Sequence, residues 1–299
     1  MSANTVKIAF IGFGEAGQAI AAGLRETGAV DLTAWDILFP QDTGAKLRDA
    51  AQKIGARCAS SAADAVHDRE IVISAVTAAS SLDAARSVAE HLRGQLFLDI
   101  NSVSPGRKQE TAKLIDKTAR YVDVAVMGPI HPARHLTPML LAGAHADAIM
   151  PFVEAFGMKA ATAGPEIGAA AAIKMVRSVM VKGMEALTYE CFVAATRAGV
   201  EEPVLASLAK SFPGFDWPKT VAYNIERMAN HGTRRAAEME EVAATLRELG
   251  IEPRMAEATV MRQREMAQIG KDAAVRDTLD KDYASVLKAV SAAAKPRQN

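Results

Sequence analysis

The six residues Gly12-Phe13-Gly14-Glu15-Ala16-Gly17 constrain this chain more than any others. They follow the apolar run from Val6 to Ile11 and lead into AIAAGLRET, a stretch of good helix formers. A G-x-G-x-x-G set between a strand and a helix is the turn that opens a βαβ dinucleotide-binding unit. Gly12 permits the tight turn, Gly14 lets backbone amides approach a pyrophosphate, and Gly17 lets the helix pack close to the sheet. With the intervening Phe13, Glu15 and Ala16, these glycines are the expected cofactor contacts. Asp36 ends the second apolar run, 19 residues after Gly17, where a carboxylate accepts hydrogen bonds from an adenosine ribose. That acid repels a 2′-phosphate, so the expected cofactor is NAD rather than NADP.

From Val6 to about Ala163, β-type runs alternate with stretches of helical length, the pattern of a doubly wound α/β domain around a parallel sheet. Strands are expected at Val6–Ile11, Leu32–Asp36, Ile71–Ala75, Leu96–Ile100 and Tyr121–Val124, with weaker ones at Arg57–Ala59 and Met139–Ala142. Ser61 with Asp64, and Ser104 before Pro105, read as helix starts. After Gly164-Pro165-Glu166 the alternation stops and the pattern is helical throughout, with breaks expected at Gly199, Phe212-Pro213-Gly214, Trp217-Pro218, Gly232 and Gly250 to Pro253. The domains are therefore expected at 1–164, a Rossmann-type unit, and 165–299, an all-helical unit whose first helix runs from Pro165 to about Ala198. Val76 and Thr77 follow the Ile71 strand and are expected to line the nicotinamide side.

Composition removes several alternatives. Lys plus Arg and Asp plus Glu both number 35, so the net charge is zero and no nucleic-acid partner is implied. Two cysteines, Cys58 and Cys191, make no disulfide or zinc framework, and no metal is expected, because Pro132 keeps His131 and His135 off a shared helical face. The longest apolar stretch, Ala169 to Ala198, is interrupted by Lys174, Arg177, Lys182, Glu185 and Glu190, which excludes a membrane span. With no signal peptide visible, the expected address is the cytoplasm.

Three stretches resemble the β-hydroxyacid dehydrogenase family, which includes 3-hydroxyisobutyrate dehydrogenase and is related to 6-phosphogluconate dehydrogenase. GFGEAG with Trp35-Asp36 is similar to its NAD-binding half. Asp99-Ile100-Asn101-Ser102-Val103-Ser104-Pro105 looks like its substrate segment. Gly168-Ala169-Ala170-Ala171-Ala172-Ile173-Lys174 looks like its glycine-then-lysine motif. The resemblance covers most of the chain. It implies a Rossmann fold followed by a 6-phosphogluconate dehydrogenase-like helical domain, with Lys174 as general acid/base for hydride transfer between NAD and a small or medium hydroxy acid. Ser102, Val103 and Ser104 would then hold the substrate carboxylate, and Asn101 would orient the cofactor or the substrate.

The chain also departs from the family. Ser178, preceded by Arg177, stands where the family has asparagine, and Met127-Gly128-Pro129 stands where it has Ser-Gly-Gly. Gly128, Arg177 and Ser178 remain expected substrate contacts on α-helical and turn spacing, and Arg134 is expected to replace the lost anchor as a bidentate carboxylate binder. A lysine base at neutral pH needs its charge disfavoured, by burial and by a neighbour such as Arg177. Alternative readings are an oxidative decarboxylase of a 3-hydroxy acid and a non-catalytic dinucleotide-binding regulator. The apolar faces after Glu201 and the Phe212, Phe215, Trp217 cluster lead to an expected homodimer.

Overall fold

The computed structural model describes residues 5–294. The chain divides into two compact units, Met1–Met175 and Val176–Asn299. The division falls inside a long helix rather than at residue 164.

The first unit is built on β1 (Val6–Ile11), α1 (Glu15–Thr27), β2 (Val30–Trp35), α2 (Ala45–Ile54), β3 (Arg57–Cys58), α3 (Ala62–Val66) and β4 (Ile71–Ser74). It continues through α4 (Ser81–Ala89), β5 (Leu96–Asp99), α5 (Pro105–Ile115), β6 (Arg120–Val126), β7 (Met139–Ala142), α6 (Met150–Ala155), β8 (Ala160–Thr162) and the first residues of α7 (Ala169–Ala198). The eight strands form one sheet in the order β3-β2-β1-β4-β5-β6-β7-β8. All neighbours pair in parallel except β6 and β7, whose register sets Val126 opposite Met139. The seven expected strands are present, with no end moved by more than two residues; β8, a three-residue edge strand, carries too short a pattern to stand out.

Alternation with period two explains why both faces are covered. Ile8, Phe10, Leu32, Ile71, Ile73, Leu96, Leu98, Val122 and Val124 point to one core with Ile20, Leu24, Phe152 and Phe156. Ala9, Ile11, Val72, Phe97 and Tyr121 point to the other, with Ala65, Val88, Leu92 and Ile115. Each large aliphatic or Phe side chain fully buried here contributes about 1.5–3 kcal/mol. Ser61 and Ser104 cap α3 and α5, their hydroxyls accepting from the amides of Asp64 and Arg107.

The second unit contains the rest of α7 with α8 (Glu201–Ser211), α9 (Trp217–Glu248), α10 (Arg254–Ile269), α11 (Ala273–Arg276) and α12 (Tyr283–Ala293). One expected break, at Trp217-Pro218, falls at a helix boundary, and another, at Gly232, is absent. Trp217-Pro218 opens α9, with the proline in its first turn, and Gly232 lies within it. A Cβ at Gly232 would stand 2.4 Å from the carbonyl oxygen of Gln263, so this glycine serves the close approach of α9 and α10. Arg235 and Glu185 form a buried bidentate pair, and Lys182 bridges Glu238 and Ser178. No helix among the described residues is long and apolar enough to cross a membrane.

The start of α7 also differs from expectation. Gly168 has φ +98°, which ends any helix reaching back to Pro165, and α7 begins at Ala169. Its first amides are capped from a distance: Asp123 Oδ2 on β6 accepts from the N–H groups of Gly168 (3.1 Å) and Ala171 (3.2 Å). A strand carboxylate, not Glu166, meets the positive end of the helix.

Candidate functional site

The strand order reverses between β1 and β4, and the crevice beyond their carboxyl ends is where doubly wound sheets receive ligands. The glycine turn lies there. Gly12 has φ +88°, and a Cβ on it would stand 2.5 Å from both the Ala75 carbonyl oxygen and Val76 Cγ1. Gly17 packs its α-carbon against the turn, where a Cβ would stand 2.8 Å from the Gly12 oxygen. Gly14 is different: a Cβ there would have nothing within 4 Å, so the space above its backbone is open. The helix caps on Gly14 without a side-chain hydrogen bond, and its first internal bond runs from Gln18 N to Gly14 O at 3.0 Å. The amides of Glu15, Ala16 and Gly17 precede that bond and have no carbonyl within the helix to serve. They are the donors a pyrophosphate fits.

Asp36 closes this half of the site. Its Oδ2 accepts from Phe13 N at 2.9 Å and its Oδ1 from Leu38 N at 3.0 Å, which fixes the carboxylate plane at the edge of the turn. A carboxylate oxygen has a further lone pair, so both remain able to accept from a ribose diol. Phe13 itself is corrected: its amide is spent on Asp36 and its ring is fully buried against Phe10 and Phe39, so it shapes the turn from beneath. Val76 and Thr77 stand at the end of β4, half-buried and exposed. The buried Asn101 fastens this edge, with Oδ1 accepting from Val76 N (2.7 Å) and Nδ2 donating to Ser74 Oγ (2.9 Å).

Along the next strand end, Ser102 carries a buried hydroxyl with no hydrogen-bond partner among the described residues. An orphaned polar atom is costly to bury, and this one stands at the carboxyl end of its strand with an unmet hydrogen-bonding capacity. Its neighbours are committed otherwise. Val103 N donates to Asn101 O at 3.1 Å, and Ser104 Oγ accepts from Arg107 N at the start of α5. The Val103 amide, an expected substrate contact, is thus engaged within its own turn.

Gly168 lies against Pro105, where a Cβ would stand 3.0 Å from the proline Cβ, so α7 begins beside the Ser102 segment. Lys174, half-buried, is six residues further along α7, about 9 Å of helix rise. Arg177 is exposed and Ser178 buried, both at the start of the second unit. Gly128 is exposed in the turn after β6.

Arg134 is not at the crevice. Its guanidinium forms two bonds with Glu26, to Oε1 at 2.8 Å and Oε2 at 2.5 Å. Glu26 is eleven residues beyond Glu15, about 16 Å down α1 from the turn. Beside it, His135 packs on Gly23, and its Nε2 lies 3.0 Å from Thr27 Oγ1. The segment between β6 and β7 is thus a brace on α1, and the expected carboxylate anchor is spent on an ion pair. Burial, with the Arg134 charge beside it, lowers the His135 pKa below the usual histidine value.

One group of residues gave no motif: Asp99, Lys108, Tyr121 and Asp123 are all essentially inaccessible. Lys108 Nζ donates to Asp99 O (2.5 Å) and lies 3.2 Å from Asp99 Oδ1 and 3.4 Å from Asp123 Oδ1. Tyr121 OH donates to Asp99 Oδ2 at 2.8 Å; burial and the two neighbouring carboxylates hold its phenol well above the ordinary value. The available signal was a carboxylate set within the apolar strand RYVDVAV.

Comparison with known proteins agrees with this geometry. Residues 7–102 match the family described as NADP oxidoreductase coenzyme F420-dependent, and residues 195–271 match a domain of unknown function, DUF1932. A conserved hypothetical protein from Sinorhizobium meliloti 1021 is 34% identical, with a TM-score of 0.78 and 97% of each chain covered. A conserved protein of unknown function, described as structurally similar to 3-hydroxyacid dehydrogenases, is 31% identical over 90% of this chain and 100% of its own, with a TM-score of 0.71. The chain belongs to the β-hydroxyacid dehydrogenase family. A further member-like relative, an NAD-dependent L-serine dehydrogenase of Pseudomonas aeruginosa, is 29% identical over 231 residues, 73% of either chain. Within this β-hydroxyacid dehydrogenase fold, the nicotinamide-binding half is the stretch with the complete motif. Among the described residues no three His, Cys, Asp or Glu side chains are grouped to hold a metal.

Proposed function

We propose that the chain is an NAD-dependent oxidoreductase acting on a small or medium hydroxy acid, with Lys174 as its general acid/base. The observation that carries this reading is the pairing of an open glycine turn, oriented by Asp36, with the orphaned Ser102 hydroxyl on the same sheet edge. The Glu15, Ala16 and Gly17 amides bind pyrophosphate, and Asp36 accepts from the ribose hydroxyls and disfavours a 2′-phosphate by charge. When bound, the nicotinamide dinucleotide supplies the hydride acceptor for oxidation or the donor for reduction. Val76 and Thr77 line its nicotinamide side, and Asn101 holds Val76 in place.

Ser102 donates to the substrate carboxylate, with the backbone at Gly128 closing the far side. Lys174, as the neutral amine, takes the hydroxyl proton as the alcohol is oxidised and returns it in reduction, a role that needs hydrogen-bond reach and a charge disfavoured by its half-burial. The serine dehydrogenase relative puts L-serine first among substrates to try.

The test is reduction of NAD and of NADP, in parallel, over L-serine and a panel of three- to six-carbon hydroxy acids, with carbon dioxide release followed in the same reactions. Turnover with NAD at least tenfold above NADP, narrowed in Asp36→Ser, is the expected result. Equal efficiency with both removes Asp36 from its role. Release of carbon dioxide in step with NADH reassigns the reaction to oxidative decarboxylation, and tight NADH binding without turnover reassigns the protein to dinucleotide sensing.

A further inference from the structure

The buried Asp99, Lys108 and Asp123 do not touch the crevice, yet each end of the group ends on a residue beside it. Asp99 Oδ1 accepts from Asn101 N at 3.0 Å, one residue before Ser102. Asp123 Oδ2 accepts from the Gly168 and Ala171 amides, the latter three residues before Lys174. Lys108 lies between the two carboxylates and is 1% exposed. It sits on α5, whose first residues follow Ser104 directly, and it also reaches the Asp99 and Val124 carbonyls.

We infer that Asp99, Lys108 and Asp123 form a buried clamp that positions the Ser102 segment against the first turn of the lysine-bearing helix. None of the three is a catalytic residue; Lys108 and Asp123 are positioning residues acting through Asn101 and Ala171. Two carboxylates face one ammonium, and the excess negative charge is met by the capped end of α7 and by Tyr121 OH. A buried ion pair is poor at raising stability, because desolvation offsets its Coulomb attraction. What this one provides is geometry: the ammonium donates to the Asp99 and Val124 carbonyls and stands within ion-pair distance of both acids, though Asp123 Oδ1 itself has no hydrogen bond, only while β5, β6 and α5 hold one arrangement. That arrangement fixes both reaction-side segments together. The inference rests on the proposed roles of Ser102 and Lys174 for its functional consequence, but not for the coupling itself.

The coupling is tested by site-resolved amide hydrogen exchange in the full chain. Asp123→Asn keeps an oxygen acceptor for α7 and touches neither Asn101 nor Ser102. The clamp predicts that it speeds exchange at Gly168 and Ala171, and also at Asn101, by about tenfold, while Gln18 in α1 is unchanged. In Lys108→Met the response at Asn101 to the second substitution should vanish, as a double-variant cycle. A response confined to Gly168 and Ala171 overturns the clamp. Should Lys108→Met not fold, Tyr121→Phe probes the same link from the other side, with exchange at Ala171 as readout; an unchanged Ala171 overturns it equally.

The functional arm uses L-serine, or the panel acid turned over fastest. Asp123→Asn should lower kcat about tenfold or more, leave the KM for NAD within twofold, and leave the inflections of the pH profile where they were, since misplacement rather than proton transfer is altered. A shifted inflection or a changed KM for NAD contradicts a positioning role. A wild-type chain inactive on the whole panel defeats the functional reading, while the exchange result still decides the clamp.

Discussion

The β1–α1 turn and the Ser102–Lys174 side belong to the same compact unit, yet they are assembled in opposite ways. The turn is local. Gly12, Gly14 and Gly17 lie within six residues, and the Asp36 carboxylate meets the Phe13 amide between them directly. The other side is gathered from β5, α5, β6 and α7, and its segments are held by charges buried beneath them. A site made of contiguous backbone tolerates divergence elsewhere in the chain; a site made of long-range contacts changes whenever a supporting loop does. In the segment after β6, Arg134 and His135 are engaged with α1.

The largest expected effect breaks chemistry without touching the turn. Lys174→Ala should bind NADH as the parent does and lose kcat by about 10²–10⁴-fold, the usual worth of a general acid/base. Fluorescence titration of NADH beside steady-state kinetics checks both halves of that statement.

Next come two glycines two residues apart that should behave differently. Gly12→Ala must place a side chain at φ +88° and 2.5 Å from Ala75 O, which costs about 2–4 kcal/mol of stability by the usual penalties for left-handed backbone and overpacking. Gly14→Ala meets no atom within 4 Å, so its thermal midpoint should be unchanged while NADH affinity falls about tenfold from crowding the approach of phosphate. Equal thermal loss in both variants would contradict the description of the turn.

The turn was legible because each requirement is a residue type at a fixed spacing: a glycine where φ is positive, a glycine where a helix approaches, an acid at a strand end. The sheet was legible through its period-two alternation. What escaped the sequence has one physical cause, which is that it depends on partners far along the chain. Arg134 has the chemistry of a carboxylate anchor, and only the fold reveals that Glu26 already uses it. Pro165-Glu166 has the chemistry of a helix start, and only Gly168 and the reach of Asp123 explain why α7 begins later. Gly232 looks like a break until the Gln263 carbonyl fills the space beside it. Lys108 and Asp123 formed no motif at all.

A smaller effect sharpens the substrate side. Ser102→Ala removes a buried hydroxyl that makes no bond among the described residues, so stability should hold or rise slightly, whereas the KM for the hydroxy acid should increase about tenfold. A variant that loses stability with unchanged KM would mean that the hydroxyl serves the fold.

The smallest effects belong to the brace. Arg134→Ala should leave the KM for substrate unchanged, since the guanidinium is occupied by Glu26 far down α1. His135 has a lowered pKa in the folded chain. Below the unfolded value of about 6.5 the unfolded chain therefore binds a proton that the folded chain resists, and stability is lost as pH falls toward the folded value. Above about pH 6.5 the contribution is complete. Denaturant midpoints across that window should fall with acid in the parent and less so in His135→Gln.

The most direct measurement of the central claim follows the hydrogen itself. The fastest-oxidised acid of the panel, deuterated at its carbinol carbon, is incubated with NAD and the full chain, and the reduced nucleotide is weighed by mass spectrometry. Hydride transfer to a dinucleotide held by the glycine turn predicts one deuterium in each NADH formed, a slower rate than with the protiated acid, and the same label in the residual product of Lys174→Ala. NADH that carries hydrogen from solvent, or no NADH from any acid at saturating NAD, would contradict it.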